Sequence, residues 1–182
     1  MGSLADQVTY PGKIPASERT EEQTAKLQEL LDMVGIGYLV IRWAGDAEDV
    51  TRENHLGWDH VARWEDVLSL GEQQRLSMAR MFWHRPTYGV LDECTSAVSV
   101  DVEEALYRAA IDQGITCITV SQRLSLPEFH STELKMGENN ANGHVVRPIS
   151  ARDVAEANER DGRQAAEDIA SMYLASGNER TG

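Results

Sequence analysis

The sequence is short of cysteine and of basic residues, and these two shortages exclude several classes of protein. Its two cysteines, Cys94 and Cys117, lie inside apolar runs and match no metal-binding spacing, so we expect buried thiols in a reducing compartment and no disulfide framework. Lys and Arg number 17 against 30 Asp and Glu, which gives a net charge of −13. Such a surface repels phosphate backbones and anionic headgroups, which argues against nucleic acid as a partner.

Long apolar segments and targeting signals are also missing. The longest mostly apolar run, "MVGIGYLVI" at 33–41, is far shorter than the ~20 residues that a transmembrane helix needs, so we expect no direct membrane span in this chain. The amino terminus has no basic region followed by an apolar stretch, which argues against a secretory signal. The length of 182 residues suits one domain and a tail.

The sequence does contain clear helix patterns in its first half. Ser17 offers an N-cap to a helix, whose apolar residues recur at spacings of three and four and predict one buried stripe: Leu27, Leu30, Leu31 and Val34. The segment "LGEQQRLSMARMFWHRP" predicts a second helix that stops before Pro86. Between the two helices, residues 45–60 are polar and without periodicity, which predicts a surface loop.

The segment from 87 to 122 predicts a parallel βαβ unit. "TYGVLDE" is typical of a buried strand, "DVEEALYRAAIDQG" predicts an amphipathic helix closed by Gly114, and "ITCITVSQ" predicts a second strand. The chemistry of such a unit lies at the carboxyl ends of its strands, here Asp92-Glu93 and Ser121-Gln122. Asn and Gly residues within 131–150 then predict a terminal hairpin, followed by an Ala-rich, charged tail with helical spacing of its charges.

Two features of the sequence could bind or process a phosphate. Asp92 and Glu93 end an apolar strand, so one carboxylate could hold Mg²⁺ while the other orients a water; the alternative is a pair that only ends the strand and caps the next turn. Ser69 and Gly71 open a helix whose unpaired N–H groups suit an anion. The alternative there is an ordinary capping box between Ser69 and Glu72.

Several other residues favour structural roles. We expect Arg75 and Arg80 to form ion pairs around their helix, and Trp58 and Trp64 to pack within the helical part instead of stacking on bases. The five histidines show no spacing typical of metal ligands, so no metal cage is predicted.

Three segments in order carry a resemblance to a known family. "LSLGEQQRLSMAR", "VLDECTSAVSVDVE" and "TVSQRLSL" resemble the signature, the Walker B motif with its D-loop, and the switch region of ABC-transporter nucleotide-binding domains. "SAVSVDVE", "MFWHRPTYGVLDECTSA" and "GSLADQVTYPGKIP" are most similar to the peroxisomal half-transporters that import fatty acyl-CoA, the adrenoleukodystrophy-type group. The resemblance covers roughly residues 2–149.

The resemblance implies an α/β fold, namely a partial P-loop NTPase domain over 1–149. Within it, 15–86 would form the helical signature subdomain and 87–149 the Walker B motif, the switch region and the terminal strands, with 150–182 as a charged helical or disordered tail. The implied partners are a second nucleotide-binding domain, in a homo- or heterodimer, and the transmembrane domains of a half-transporter. The implied location is the cytosolic face of the peroxisomal membrane, or the cytosol for a chain that is not part of a transporter.

The resemblance also assigns roles to individual residues. In the family two nucleotide domains pair head to tail, and each ATP lies between the phosphate loop of one and the signature of the other. The residues that would contact the ATP of a partner are Ser69, Leu70, Gly71 and Glu72. At the ATP of its own subunit, Asp92 would hold Mg²⁺ and Glu93 would activate the attacking water, while 96–99 would signal across the interface.

Three departures from the family pattern affect activity. A Walker A loop reads Gly, four residues, Gly-Lys, then Ser or Thr, and the candidate Gly12-Lys13 fails because Gln7 and Ile14 occupy the outer positions. In the family this loop and the Q-loop lie upstream of the segment that the start of this chain resembles. Leu70 replaces a signature glycine, and Gln122 replaces the switch histidine, so a hydrogen bond to the γ-phosphate is kept but a positive charge is lost.

Two functions follow, from different classes. The first is the C-terminal fragment of an ATP-binding and hydrolysing subunit of an ABC transporter, for fatty acids or acyl-CoA across the peroxisomal membrane, which uses ATP and Mg²⁺ and is inactive alone. The alternative is a non-catalytic interaction protein that pairs its signature face with an intact nucleotide-binding domain. ATPases of the chromosome-maintenance type share the signature, but they carry long coiled-coil heptads that this sequence lacks.

Overall fold

The computed structural model describes residues 2–44, 56–123, 126–137 and 143–160. The chain divides into two compact units, Met1–Ser121 and Gln122–Gly182. The predicted subdomain limits at 86 and 149 stay a prediction. None of the helices that these ranges contain has the length and apolar character that a bilayer crossing requires.

The first unit is mainly helical in its first two thirds and ends in a strand, helix, strand segment. Its helices are α1 (Leu4–Thr9), α2 (Glu21–Met33), α3 (Tyr38–Arg42), α4 (Leu56–Asp59), α5 (Trp64–Val67), α6 (Leu70–His84) and α7 (Val100–Asp112). Its strands are β1 (Gly2–Ser3), β2 (Val61–Ala62), β3 (Tyr88–Asp92) and β4 (Thr116–Val120). Strands β1 and β2 pair antiparallel, with Gly2 opposite Ala62.

Helix α2 begins three residues later than the prediction from Ser17. Its N-cap is Thr20, whose side chain accepts from the backbone N–H of Gln23 at 3.2 Å, while the Gln23 side chain accepts from the backbone N–H of Thr20 at 3.0 Å. Ser17 lies instead in the 3-10 turn Ala16–Glu18. The prediction was wrong because a capping box favours Glu or Gln at its third helical residue: Gln23 lies three residues after Thr20, whereas Thr20 itself lies three residues after Ser17.

The apolar stripe of α2 and the loop after α3 agree in part with the sequence. The predicted stripe residues are all buried, at 5% exposure or less: Leu27, Leu30, Leu31 and Val34. Of the predicted surface loop at 45–60, residues 45–55 lie outside the described residues. The remainder forms α4, in which Trp58 is 2% exposed and therefore packs in the core, as expected.

The predicted βαβ unit is confirmed. Strands β3 and β4 are parallel, in register from Tyr88 opposite Thr116 to Asp92 opposite Val120, and α7 makes the crossover. The α7 hydroxyl of Tyr107 lies 3.2 Å from Oγ1 of Thr119. Gly114, at φ +73°, ends the crossover helix in the left-handed conformation that glycine adopts without strain.

Strand β3 is not fully buried, contrary to the prediction from its apolar run. Gly89 and Leu91 face the helices, and a Cβ on Gly89 would lie 2.6 Å from the Sδ of Met81 in α6. On the opposite face Val90 is 72% exposed, and other apolar residues of the pair are also exposed: Tyr88, Ile118 and Val120. An apolar run alone does not distinguish a strand covered on one face from one covered on both.

The second unit is built on the predicted terminal hairpin. Strands β5 (Thr132–Met136) and β6 (His144–Pro148) pair antiparallel, a 3-10 helix spans Leu126–Phe129, and residues 151–160 are helical. The Arg147 guanidinium lies 2.8 Å from Asp153 and 2.7 Å from Glu133. The hydrogen bond from Arg147, together with the bonds from Ser150, holds the pKa of Asp153 well below its usual range. The predicted tail beyond 160 lies outside the described residues.

The packing of α6 predicts a large stability effect for one core residue. Phe82 is fully buried, so Phe82→Ala should lower the free energy of unfolding by about 3–5 kcal/mol, because it removes apolar contacts and leaves a cavity. Val90→Ala on the open sheet face should cost less than about 1 kcal/mol. Urea unfolding followed by circular dichroism measures both, and equal costs would contradict the assignment of α6 to the core.

Candidate functional site

The signature segment forms the start of α6. Ser69 is the N-cap: its Oγ accepts from the backbone N–H of Glu72 at 3.3 Å, and the Glu72 carboxylate accepts from the Ser69 backbone N–H at 2.8 Å. The capping box offered as the alternative is therefore present. Ser69 is nevertheless exposed, and Leu70 is 59% exposed, so this helix end faces solvent.

Glu72 is turned inward and anchors the helix start. It is 6% exposed, and its Oε1 accepts from the Tyr38 hydroxyl at 2.7 Å and from Arg42 at 3.0 Å. Burial raises the pKa of this carboxyl, but the hydrogen bonds from Tyr38 and Ser69 and the charge of Arg42 outweigh burial, so the pKa lies below its ordinary value. A contact between Glu72 and nucleotide stays a prediction, and in this structure its side chain supports Ser69.

Gly71 brings a second segment against the start of α6. A Cβ at this position would lie 2.7 Å from the carbonyl oxygen of Ala97, a backbone atom that cannot rotate away. Glycine is therefore required here by the close approach of the predicted D-loop segment, 96–99. The structure thus places the predicted signature and D-loop segments side by side.

The acid-tipped end of β3 lies next to this junction. Asp92 is exposed, and Glu93 is half-buried at φ +46°, with its backbone N–H donating to the carbonyl of Val120 at 2.9 Å. Within the described part of the chain, neither carboxylate accepts a hydrogen bond or forms an ion pair. Gln122, the predicted partner of the γ-phosphate, is exposed and belongs to the second unit.

Gln74 is a residue that the motifs did not single out. Its side-chain amide donates to the carbonyl of Glu93 at 3.0 Å and to Oγ of Ser96 at 2.8 Å, and its side-chain oxygen accepts from the backbone N–H of Ala97 at 2.8 Å. Gly71 and Gln74 are three residues apart on one helix face. That spacing is the signal that could have placed Gln74 at the same contact.

Among the described residues Arg75 and Arg80 form no ion pair, so the prediction of ion pairs for them was wrong. Arg75 donates to the carbonyl of Gly35 at 2.8 Å, just beyond the end of α2, and Arg80 donates to the carbonyl of Gln7 at 2.7 Å in α1. Both arginines satisfy carbonyl groups at helix ends, which lack partners within their own helices. Trp64 packs as expected, with its ring N–H donating to the Gly2 carbonyl at 2.8 Å.

Asp92 fits the limited role that a protein carboxylate has at a magnesium ion bound to nucleotide. The described ranges contain no group of three or more His, Cys, Asp or Glu residues placed to hold a metal. Mg²⁺ at a nucleotide is usually held by one or two carboxylates together with substrate phosphates and water, so a dedicated cage is not required. An exposed carboxylate at a strand end is compatible with that arrangement, and the metal role of Asp92 stays a prediction.

The Gly71 contact predicts a position-specific cost. Gly71→Ala should lower the free energy of unfolding by about 1–3 kcal/mol, because the new methyl group displaces the Ala97 backbone. Leu70→Ala, one residue earlier and exposed, should change it by less than about 0.5 kcal/mol. Chemical unfolding measures both, and hydrogen exchange should report faster exchange in 95–98 for the Gly71 variant alone.

The environment of Glu72 predicts a pH dependence. Since its folded-state pKa lies below the ordinary value of 4.5, its contribution to stability is fully present above that pH and is lost as the pH falls through the lower value. Glu72→Gln should therefore cost about 1–3 kcal/mol at neutral pH. As the pH falls below 4.5, the difference from the unmodified chain should shrink. Glu65→Gln is an exposed control, and an undiminished Glu72 difference in acid would contradict the assignment.

No protein-family model matches the chain, but individual relatives do. ABC transporter D family member 1 of Arabidopsis thaliana is 46% identical over 160 residues, which covers 77% of this chain and 11% of the relative. ATP-binding cassette sub-family D member 3 of Homo sapiens is 44% identical over 136 residues, 75% of this chain and 19% of the relative. The human lysosomal cobalamin transporter ABCD4 is 40% identical over 135 residues, 74% of this chain and 21% of the relative.

The chain thus spans about a tenth to a fifth of the length of these relatives. Its fold is similar to that of a bacterial Atm1-family ABC exporter solved with ATP bound, with a TM-score of 0.51 and 21% identity, over 72% of this chain and 20% of the exporter chain. The expected partial ABC ATPase fold and the family resemblance are both confirmed. Over the aligned stretch, the chain belongs to the ABC transporter D family.

Proposed function

We propose that this chain is the signature-bearing part of the ATP-binding and hydrolysing subunit of a D-family ABC transporter. The observation that carries the proposal is the junction of two features at the surface of the first unit. The Ser69–Leu70 end of α6 and the Asp92–Glu93 end of β3 are joined through Gly71 and Gln74. Each feature has the chemistry to meet a nucleotide phosphate. Ser69, Leu70 and Asp92 are exposed, and Glu93 is half-buried.

The two features suit two different ATP molecules. Ser69 and the backbone of Leu70 and Gly71 present an exposed helix start, whose N–H groups and dipole stabilise an anion brought by a partner domain. Asp92 would hold Mg²⁺, and Glu93 would orient and accept a proton from the water that attacks the γ-phosphate. For Gln122, the family resemblance implies a hydrogen bond to a γ-phosphate without an added charge.

The phosphate loop in this proposal comes from outside the 182 residues. These contain no Gly-x-x-x-x-Gly-Lys-Ser/Thr sequence, and its backbone amides and lysine are what hold the β- and γ-phosphates. The chain alone should therefore bind Mg-ATP weakly and turn it over slowly. A second nucleotide-binding domain and transmembrane domains complete the proposed assembly.

Fatty acids or acyl-CoA, moved across the peroxisomal membrane, are the proposed cargo. This choice is supported by the similarity of "SAVSVDVE" and "MFWHRPTYGVLDECTSA" to the acyl-CoA importers. One relative is a lysosomal cobalamin transporter, so the family includes other cargo. The cargo therefore has a test separate from that of the ATPase.

A second candidate function is a non-catalytic subunit that pairs its signature face with an intact nucleotide-binding domain. It is favoured by the exposed Ser69–Leu70 end, together with a sequence that lacks the phosphate loop. Such a chain would alter the ATPase rate of its partner without turnover of its own.

The proposal predicts ATPase activity for a chimera in which this full chain replaces the aligned stretch of a D-family transporter. Glu93→Gln should lower kcat by about a hundredfold or more, because the water loses its base. Leu70→Asp should raise the KM for ATP, since a carboxylate then faces phosphate across the dimer. Leu134→Asp, with the same change at an exposed hairpin residue, is the matched control.

The outcomes separate the candidates. A chimera without ATPase activity would contradict the first proposal. If the free chain then slowed or stimulated an intact D-family nucleotide domain, and Leu70→Asp but not Leu134→Asp removed the effect, the second would hold. The cargo is tested in the transporter that carries this chain together with its own transmembrane domains, since those of the chimera belong to the host. Stimulation of that ATPase by acyl-CoA and not by cobalamin would support the proposed cargo, and the reverse result would contradict it.

A further inference from the structure

The side chain of Gln74 uses both ends of its amide on one loop. The nitrogen donates to the carbonyl of Glu93 and to Oγ of Ser96, and the oxygen accepts from the N–H of Ala97. Ser96 Oγ itself donates to the Glu93 carbonyl at 3.0 Å. A primary amide offers two donors and one acceptor oxygen, so this side chain binds the loop at three residues: Glu93, Ser96 and Ala97.

These bonds act on a residue in an uncommon backbone conformation. Glu93 has φ +46°, which costs a residue with a Cβ free energy and persists only where its surroundings enforce it. Its N–H is held by the Val120 carbonyl at 2.9 Å on β4, and its carbonyl is held by Gln74 on α6. The direction of the Glu93 side chain is therefore set from both sides of the residue.

We propose that Gln74 is a positioning residue, which holds the Glu93 carboxylate where it accepts a proton from the water that attacks ATP, and which links its position to the signature end of α6. This inference rests on the proposed function, in which Glu93 is the base. Ser69 and Gly71 begin the same helix that carries Gln74. If the ATP bound at the signature end displaced this helix, it would therefore also move Glu93, the general base that acts on the second ATP.

The neighbouring glutamine shows that this contact is specific. Gln73, with the same side chain on the same helix, donates to the carbonyls of Glu65 at 3.2 Å and Leu68 at 2.9 Å, in and after α5. It makes no bond to the 93–97 loop among the described residues. Gln73→Ala thus removes the same amide group from α6 and keeps every hydrogen bond of Gln74 to the 93–97 loop. It is therefore the matched control for Gln74→Ala.

Cys94 reports on the loop in the chain by itself. It follows Glu93 and is half-buried, so its thiol should react slowly while the loop is held. Gln74→Ala should raise its rate of alkylation by iodoacetamide about tenfold, as expected from the loss of hydrogen bonds of ordinary strength. Peptide mass spectrometry separates Cys94 from Cys117, which should stay unchanged, as should both thiols in Gln73→Ala.

Gln74→Glu provides a second, atom-specific test that does not depend on the alanine variant folding. A carboxylate still accepts from the Ala97 N–H but cannot donate to Glu93 or Ser96. Hydrogen exchange at Ala97 should stay slow in Gln74→Glu, whereas Cys94 alkylation should rise. Cys94 alkylation within twofold of the unmodified chain in folded Gln74→Glu would overturn the positioning role.

Kinetics of the chimera test the link to catalysis. Gln74→Ala should lower kcat about tenfold and leave the KM for ATP unchanged, because the nucleotide contacts remain while the base is misplaced. An unchanged kcat in a chimera that is otherwise active would overturn the inference. If the unmodified chimera has no ATPase activity, the proposed function fails instead, and the alkylation and exchange results decide by themselves whether Gln74 holds Glu93.

Discussion

The buried carboxylate of Glu72 is the interaction on which the candidate site depends. Removing this charge from water would be costly without partners, and here it accepts bonds from Ser69, Tyr38 and Arg42. These bonds fix the first turn of α6 against α3. Ser69 and Leu70 can therefore be exposed and ordered together, which is what a surface that binds a partner's ligand requires.

The next positions of the same helix attach the acid-bearing strand end. Gly71 allows the Ala97 carbonyl to approach, and Gln74 binds Glu93, Ser96 and Ala97. One turn of α6 thus connects the helical part of the unit to the parallel strands. In a shared nucleotide cleft this arrangement would make the two binding surfaces of one subunit mechanically dependent on each other.

The fold was predictable where local chemistry is decisive. The end of α6 before Pro86, the crossover helix closed by Gly114 and the parallel strand pair all follow from periodicity and chain-breaking residues. The start of α2 was missed because Ser17 and Thr20 are both possible N-cap residues. The partners of Arg75 and Arg80 were missed because every residue has a backbone carbonyl, so the sequence does not indicate which one a side chain contacts. Gln74 was overlooked for the same reason, because two of its partners are backbone atoms distant in sequence. They are the carbonyl of Glu93, 19 residues away, and the N–H of Ala97, 23 residues away.

The open face of the β3–β4 pair has a practical consequence for the protein in solution. Parallel strands are ordinarily covered on both sides, yet Val90 and Val120 are 72% and 58% exposed. Exposed apolar surface favours self-association, and the net charge of −13 opposes it. Because salt screens that repulsion, concentrated samples should stay dispersed at low ionic strength and cluster as ionic strength rises.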